Sequence, residues 1–188
     1  MRVIHNVMRM ETSDETLAKA AADGDRNAFG VLLDRRYDGL FRLAYRLTGS
    51  KAEAEDLTQD ICAALPTKLA SFRGQALFST WLYRVAVNAA HDRRRRAASR
   101  AKAADGWGSW EINRRADNDD AEEKADWLNS AMSALNDDLR DTLALLLGDE
   151  LTHADAANVL GVSEGTISWR VSEAKKHLRT LALQENGQ

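Results

Sequence analysis

The chain has 188 residues, 44% of them hydrophobic and 29% charged, enough for one ordinary domain or two small ones with separate cores and too few for a large enzyme architecture. Its single cysteine, Cys62, excludes an internal disulfide framework and a multi-thiolate metal site, as suits a reducing, cytoplasmic setting. A net charge of −3 argues against a chain that binds DNA unaided, because phosphate neutralisation by Lys and Arg supplies most non-specific affinity, so any DNA reading has to be local or helped by a partner.

One proline against a wealth of Ala, Leu, Arg and Asp predicts an all-α fold. Residues 1–10 lack the continuous apolar core of a signal peptide, and no later stretch approaches the roughly 20 apolar residues of a membrane span, so neither export nor membrane insertion is expected. Thr12 and Glu15 stand at capping-box spacing and open a short helix through Leu17 and Ala21, which Asp23, Gly24 and Asp25 stop. From Asn27 onward Phe29, Leu32, Leu33, Tyr37, Leu40, Phe41, Ala44 and Leu47 recur at helical spacing as far as Gly49, a good C-cap.

Ser50 and Glu53 make a second capping box. The helix behind it carries Ala54, Leu57, Ile61 and Leu65 on one side and Glu53, Asp56 and Asp60 on another, and Pro66 is expected to kink or restart it. After a turn at residues 71–75 around Gly74, Ser79 can cap a fourth helix with Phe78, Leu82, Val85 and Ala89 inward. It runs into Arg93, Arg94, Arg95 and Arg96, cations that suit the C-terminal end of a helix dipole.

The pattern then dissolves into small and charged residues with Gly106, Gly108, Asp117, Asp119 and Asp120, as in a flexible linker. Periodicity returns with Trp127, Ala131 and Leu135, then with Leu139, Leu143 and Leu146, before a break at Gly148. Thr152 and Asp155 open another helix containing Ala156, Ala157, Val159 and Leu160. A turn at Gly161 and Val162 follows, and Ser163 caps a last helix that buries Ile167, Val171, Ala174, Leu178 and Leu181.

Three surfaces carry chemistry. Residues 152–178 have the form of a helix-turn-helix, in which small alanines let two helices cross closely. Glu164, Gly165, Ser168, Trp169, Ser172 and Lys176 project outward there, flanked by Arg170, Lys175 and Arg179. On the fourth helix Trp81, Arg84, Asn88, His91 and Arg95 recur at spacings of three and four, an aromatic–amide–cation stripe suited to single-stranded DNA. Four consecutive arginines repel one another unless an anion is near, which favours a nucleic-acid contact. The acidic face of Glu53, Asp56 and Asp60, with Gln59 beside it, suits docking to a basic protein surface. His5, His91, His153 and His177 are isolated and no Gly-rich phosphate loop occurs, so no catalytic constellation, metal site or cofactor is expected.

Read together, the strings YDGLFRLAYRLTGS at residues 37–50, AEDLTQDIC at 54–62, FRGQALFSTWLYRVAVNAAHDRRRR at 72–96 and LTHADAANVLGVSEGTISWRVSEAKKHLRTL at 151–181 resemble the extracytoplasmic-function sigma factors, small RNA polymerase specificity subunits that keep only the second and fourth sigma domains. The resemblance implies an N-terminal tail at residues 1–12, sigma domain 2 at 13–97, a linker at 98–123 and sigma domain 4 at 124–185. It implies that Glu53, Asp56, Gln59 and Asp60 dock to core RNA polymerase, on the coiled-coil clamp of its largest subunit. Arg73, Ser79, Thr80, Trp81, Arg84, Asn88, Arg93, Arg95 and Arg96 would hold the melted minus-ten element of promoter DNA, with one base flipped into a pocket. Ser163, Thr166, Ser168, Trp169, Arg170, Lys175 and Lys176 would meet the minus-thirty-five element in the major groove.

The resemblance further implies transcription initiation in the cytoplasm, in a stress response, under an anti-sigma factor, with no cofactor and no chemistry in the chain itself. Three positions depart from the family pattern: Cys62 where a bulky aromatic is usual, Trp169 where a small polar residue is common, and Glu173 where a cation often stands. Two rival readings are a helix-turn-helix regulator that binds duplex DNA without polymerase, and a helical adaptor that binds only protein.

Overall fold

In a computed structural model, which describes residues 12–103, 120–148 and 151–185, the first helix starts one residue later than the Thr12 spacing predicts. Ser13 caps α1 (Asp14–Ala22), its Oγ accepting from the Thr16 N–H at 3.2 Å. Asp25 caps α2 (Arg26–Thr48) by accepting from the Asn27 and Ala28 N–H groups at 2.8 and 3.0 Å. Gly49 ends α2 at φ +72°, the left-handed conformation expected of a helix C-cap.

α3 (Lys51–Leu69) runs through Pro66 as one helix, without the restart that was one of the two expected outcomes. Pro66 is exposed, while Leu65 and Leu69 are buried and hold the last turn on the core. That packing offsets the one backbone hydrogen bond the proline cannot make. α4 (Phe78–Ala103) is also not capped as predicted: Ser79 lies inside its first turn and is buried. The orphan Phe78 N–H is met by Glu15 Oε1 of α1 at 3.0 Å. Both termini of this contact were visible as residues, but 63 positions separate them and no local pattern joins them.

Glu15 thereby gains a pH dependence. Hydrogen bonds from the Phe78 and Glu15 backbone N–H groups hold its carboxyl below the usual carboxylate range. Its contribution to stability is therefore present above the unfolded-chain pKa, near the ordinary glutamate value, and is lost as pH falls through the lowered folded value. Because the carboxylate is partly exposed, Glu15→Gln should cost only about 0.5–1 kcal/mol at neutral pH. Thermal melts of both proteins should converge as pH falls through that lowered value; a gap that stays constant on acidification would contradict this.

The first domain is the α1–α4 bundle, with Leu40, Leu47, Leu57, Ile61, Phe78 and Leu82 at its centre. The second comprises α5 (Asp120–Ser133), α6 (Asp137–Leu146), α7 (His153–Leu160) and α8 (Glu164–Glu185). Asn136 caps α6 through the Leu139 N–H at 3.0 Å. α7 opens with a full capping box, Thr152 Oγ1 accepting from the Asp155 N–H at 3.1 Å and Asp155 Oδ2 from the Thr152 N–H at 3.0 Å. Gly161, at φ +67°, turns the chain, and Ser163 accepts from the Thr166 N–H at 3.1 Å to start α8. Ile167 and Ala174, on the inner face of α8, are fully buried.

The described residues are all-α and contain no strand. The helices intrude on the expected linker at both ends, to Ala103 and from Asp120; the rest of it, residues 104–119, and the tail at residues 1–11 lie outside the described residues. α6 is buried almost all round, at Leu139, Asp141, Thr142, Leu143, Ala144 and Leu145. One of its sides packs on α7 and α8 and another on α2; together with α7, which packs on α4, it seats the second domain on the first.

Candidate nucleic-acid interface

Helical spacing brings Glu53, Asp56, Gln59 and Asp60 onto the exposed side of α3, opposite buried Leu57 and Ile61. Asp60 Oδ2 holds Arg93 Nη2 of α4 at 2.9 Å, and Arg93 Nη1 donates to the Glu53 carbonyl at 3.3 Å. The acidic face and the arginine run therefore adjoin.

On α4, Trp81 is half-buried. Its ring centroid lies 5.5 Å from Phe72 and 5.6 Å from Phe78, so packing fixes the ring at the edge of the bundle instead of leaving it loose in solvent. Arg73, Asn88, Arg95 and Arg96 are exposed, with Arg95 bonded to Asp92 at 2.7 Å. Ser79 and Thr80, expected at the DNA face, are buried, Thr80 to 1% exposure with Oγ1 unpartnered.

The rest of the stripe is engaged by the second domain. Arg84 Nη2 donates to both the backbone carbonyl and the side-chain Oδ1 of Asn158 on α7, at 2.8 and 2.6 Å. His91 Nε2 lies 2.6 Å from Asp141 Oδ2 on α6. Arg94 Nη2 donates to both Asp141 oxygens at 2.8 and 3.0 Å, and its Nη1 lies 2.8 Å from Asp137. Burial alone would lower the Arg94 pKa; the Asp141 and Asp137 carboxylates outweigh it and raise it.

Along α8, Trp169 is 62% exposed and Ser168 and Lys175 are exposed, Ser168 Oγ lying 3.2 Å from His153 Nδ1. Thr166 is half-buried and shares a 2.9 Å hydrogen bond with Ser163. Arg170 points back into the domain: its side chain is 12% exposed and held at 2.7 Å by Asp138 of α6. Lys176 pairs with Glu173 at 3.1 Å, which partly neutralises the acid on this surface.

Asp137, Asp138, Asp141 and Asn158 were missed in the sequence. The one available signal was Asp141, a carboxylate in the buried register of α6 between Leu139 and Leu143. Cys62 is half-buried on α3, and burial pushes its thiol pKa up. Among the described residues no group of three His, Cys, Asp or Glu side chains could hold a metal ion, and no helix is long and apolar enough to cross a membrane.

The sequence matches the family Sigma-70 region 2 over residues 32–100, which takes in the acidic face and the stripe, and Sigma-70, region 4 over residues 131–180, which takes in the helix-turn-helix. It is 34% identical to the ECF RNA polymerase sigma factor SigM of Mycobacterium tuberculosis, over 92% of this chain and 86% of that protein. It is 29% identical to the ECF RNA polymerase sigma factor SigW of Bacillus subtilis, over 90% of this chain and 97% of that one. Among solved structures it superposes on CnrH in complex with the cytosolic domain of CnrY, at a TM-score of 0.70 and 25% identity, covering 91% of this chain and 97% of that one. RpoE in complex with the anti-sigma factor NepR, from Bartonella quintana, gives the same TM-score and identity over 82% and 96%. The two matched regions, in this order and on these two helical domains, and the likeness to SigM along nearly the whole chain make this protein a member of the ECF RNA polymerase sigma factors, the initiation subunits that direct polymerase to promoters.

Proposed function

We propose that the first domain attaches to core RNA polymerase through Glu53, Asp56, Gln59 and Asp60 and holds the melted minus-ten strand on α4, while α8 reads the minus-thirty-five element. The observation that carries this reading is the stripe of Trp81, Arg84, Asn88 and Arg95, a fixed aromatic ring followed by amide and cations along one helix. A ring can stack a base, an amide can bond its edge and guanidinium groups can follow the backbone. Arg73, Arg93 and Arg96 extend the cationic surface around it. Ser79 and Thr80, under that surface, act by shaping the first turn of α4 rather than by reaching solvent.

At the other site Ser168, Trp169, Lys175 and Lys176 are the exposed candidates for groove contact, and Ser163 and Thr166 set the start of the helix that carries them. Trp169 offers an apolar face to a thymine methyl. Arg170 acts through Asp138 by anchoring α8 to α6. The protein on this reading works in the cytoplasm and supplies no chemistry of its own; the raised thiol pKa of Cys62, which disfavours a nucleophilic thiolate, agrees with that. Two of the structures it resembles were solved with CnrY and with the anti-sigma factor NepR, which supports control of this chain by a partner of that kind.

Reversing one charge on the acidic face tests the assignment. Asp60→Arg should weaken binding to core polymerase by about tenfold or more, since like charges across an interface cost affinity. Competition against the wild-type chain for purified core polymerase measures it. Unchanged affinity would remove this face from the interface.

A further inference from the structure

Among the cations of α8, Arg170, Lys175, Lys176 and Arg179, stands one carboxylate, Glu173, one helical turn after the exposed Trp169. Its oxygens are held from the following turn: Lys176 Nζ lies 3.1 Å from Oε2, and His177 Nε2 lies 3.8 Å from Oε1. Both partners sit on the same helix, and exposed pairs at that spacing add little to stability. Arg170, three residues back, is turned away to Asp138 of α6. Glu173 therefore does not tie α8 to the rest of its domain. What its pairing does is fix the direction of the carboxylate and offset its charge, while the side chain stays 32% exposed on the helix that the minus-thirty-five reading sends into the groove.

Resting on the assignment of α8 to the minus-thirty-five element, we propose that Glu173 is a specificity-determining residue that selects a cytosine there, beside the base pair covered by Trp169. An ionised carboxylate can only accept hydrogen bonds. In the major groove cytosine presents its N4 amine as a donor, guanine presents the acceptors O6 and N7, and adenine sets its N6 donor beside the N7 acceptor. A carboxylate held at the base edge therefore bonds cytosine, is repelled by guanine and is only half-suited to adenine. It discriminates by exclusion as well as by attraction. Lys176 makes the pair close to neutral, which lets an acidic side chain enter a groove walled by phosphates. Four residues of helix advance about 6 Å along the axis, close to two base-pair rises of about 3.4 Å each, so the cytosine falls within about two base pairs of the Trp169 contact.

The test uses core polymerase with the full chain on a promoter library whose minus-thirty-five segment is randomised, each transcript carrying a barcode of its template. The wild type should favour cytosine over guanine by about tenfold at one position of that segment. Glu173→Gln should turn that position alone to adenine, because an amide offers the acceptor and the donor that match adenine N6 and N7. Glu173→Ala should leave the position without preference. Trp169→Ala should keep the cytosine and remove a thymine preference within about two base pairs of it.

A wild type with no cytosine preference, or a preference that persists in Glu173→Gln, overturns the proposal. Output that falls equally across the whole library in Glu173→Gln also overturns it, since a group that only supports α8 would act that way. Trp169→Ala separates this failure from failure of the reading beneath it. If Trp169→Ala alters a base preference in the segment and Glu173→Gln alters none, α8 reads the element without Glu173; if neither variant alters any, the assignment of α8 to the minus-thirty-five element has itself failed.

Discussion

Alanine at both Trp81 and Asn88 is expected to lower promoter opening by about a hundredfold while leaving affinity for core polymerase within about twofold. Stacking of one base on an aromatic ring contributes about 1–3 kcal/mol, and a hydrogen bond to a base edge about 1 kcal/mol. Together they approach 3 kcal/mol, or two powers of ten. Neither residue lies on the exposed side of α3 that carries Glu53, Asp56 and Asp60, so assembly should survive. Trp81 also packs on Phe72 and Phe78, and its loss loosens that corner of the bundle. Asn88→Ala alone is the cleaner arm, since Asn88 is exposed and its truncation opens no cavity. Permanganate footprinting of a promoter bubble measures opening. Equal loss of opening and of polymerase binding would contradict the division of roles between α3 and α4.

The largest expected effect on folding sits at Asp14. This carboxylate is 7% exposed, and it bonds Arg35 at 3.0 Å and Arg36 through Nε, tying the start of α1 to the middle of α2. Arg35 also donates to the Thr12 carbonyl at 2.7 Å, so one guanidinium serves two acceptors at the same corner. Removing the carboxylate takes a charged acceptor from two guanidinium groups that stay 20% and 30% exposed, at a cost of about 3 kcal/mol, the upper end for hydrogen bonds to charged groups. Asp14→Ala should therefore lower the melting temperature by about 10 °C, given about 2–4 °C per kcal/mol for a chain of this size. Asp92→Ala, which breaks an exposed pair with Arg95, should shift it by no more than about 2 °C. Comparable shifts from the two variants would show that the Asp14 cluster is solvated in solution.

Helix ends announced by a side chain within four residues were readable from the order of amino acids. Gly49, Thr152 with Asp155, Gly161 and Ser163 all act as their local chemistry predicts. Those determined by distant residues were not. Glu15 completes the start of α4 rather than of α1, and the buried Leu65 and Leu69 carry α3 through Pro66, because tertiary packing outweighs a local signal there.

The candidate site divides the same way. Spacings of three and four sufficed to align Trp81, Arg84, Asn88 and Arg95, and likewise the carboxylates of α3, since both are properties of a single helix. That Arg170 turns inward to Asp138, that Ser79 and Thr80 lie beneath the surface, and that Asp141 and Asn158 cover the stripe all depend on how separate helices meet. Hydrophobic periodicity says which side of α6 is buried, but not that a second domain's helix lies against the polar remainder.

The most direct test of the central claim is transcription of sheared host genomic DNA by purified core RNA polymerase with and without this chain, with RNA start sites sequenced. New starts that share two spaced upstream motifs are the predicted result. Polymerase that gains no starts from the chain would contradict promoter recognition, and co-purification of the two in that case would point to an adaptor that binds polymerase without reading DNA.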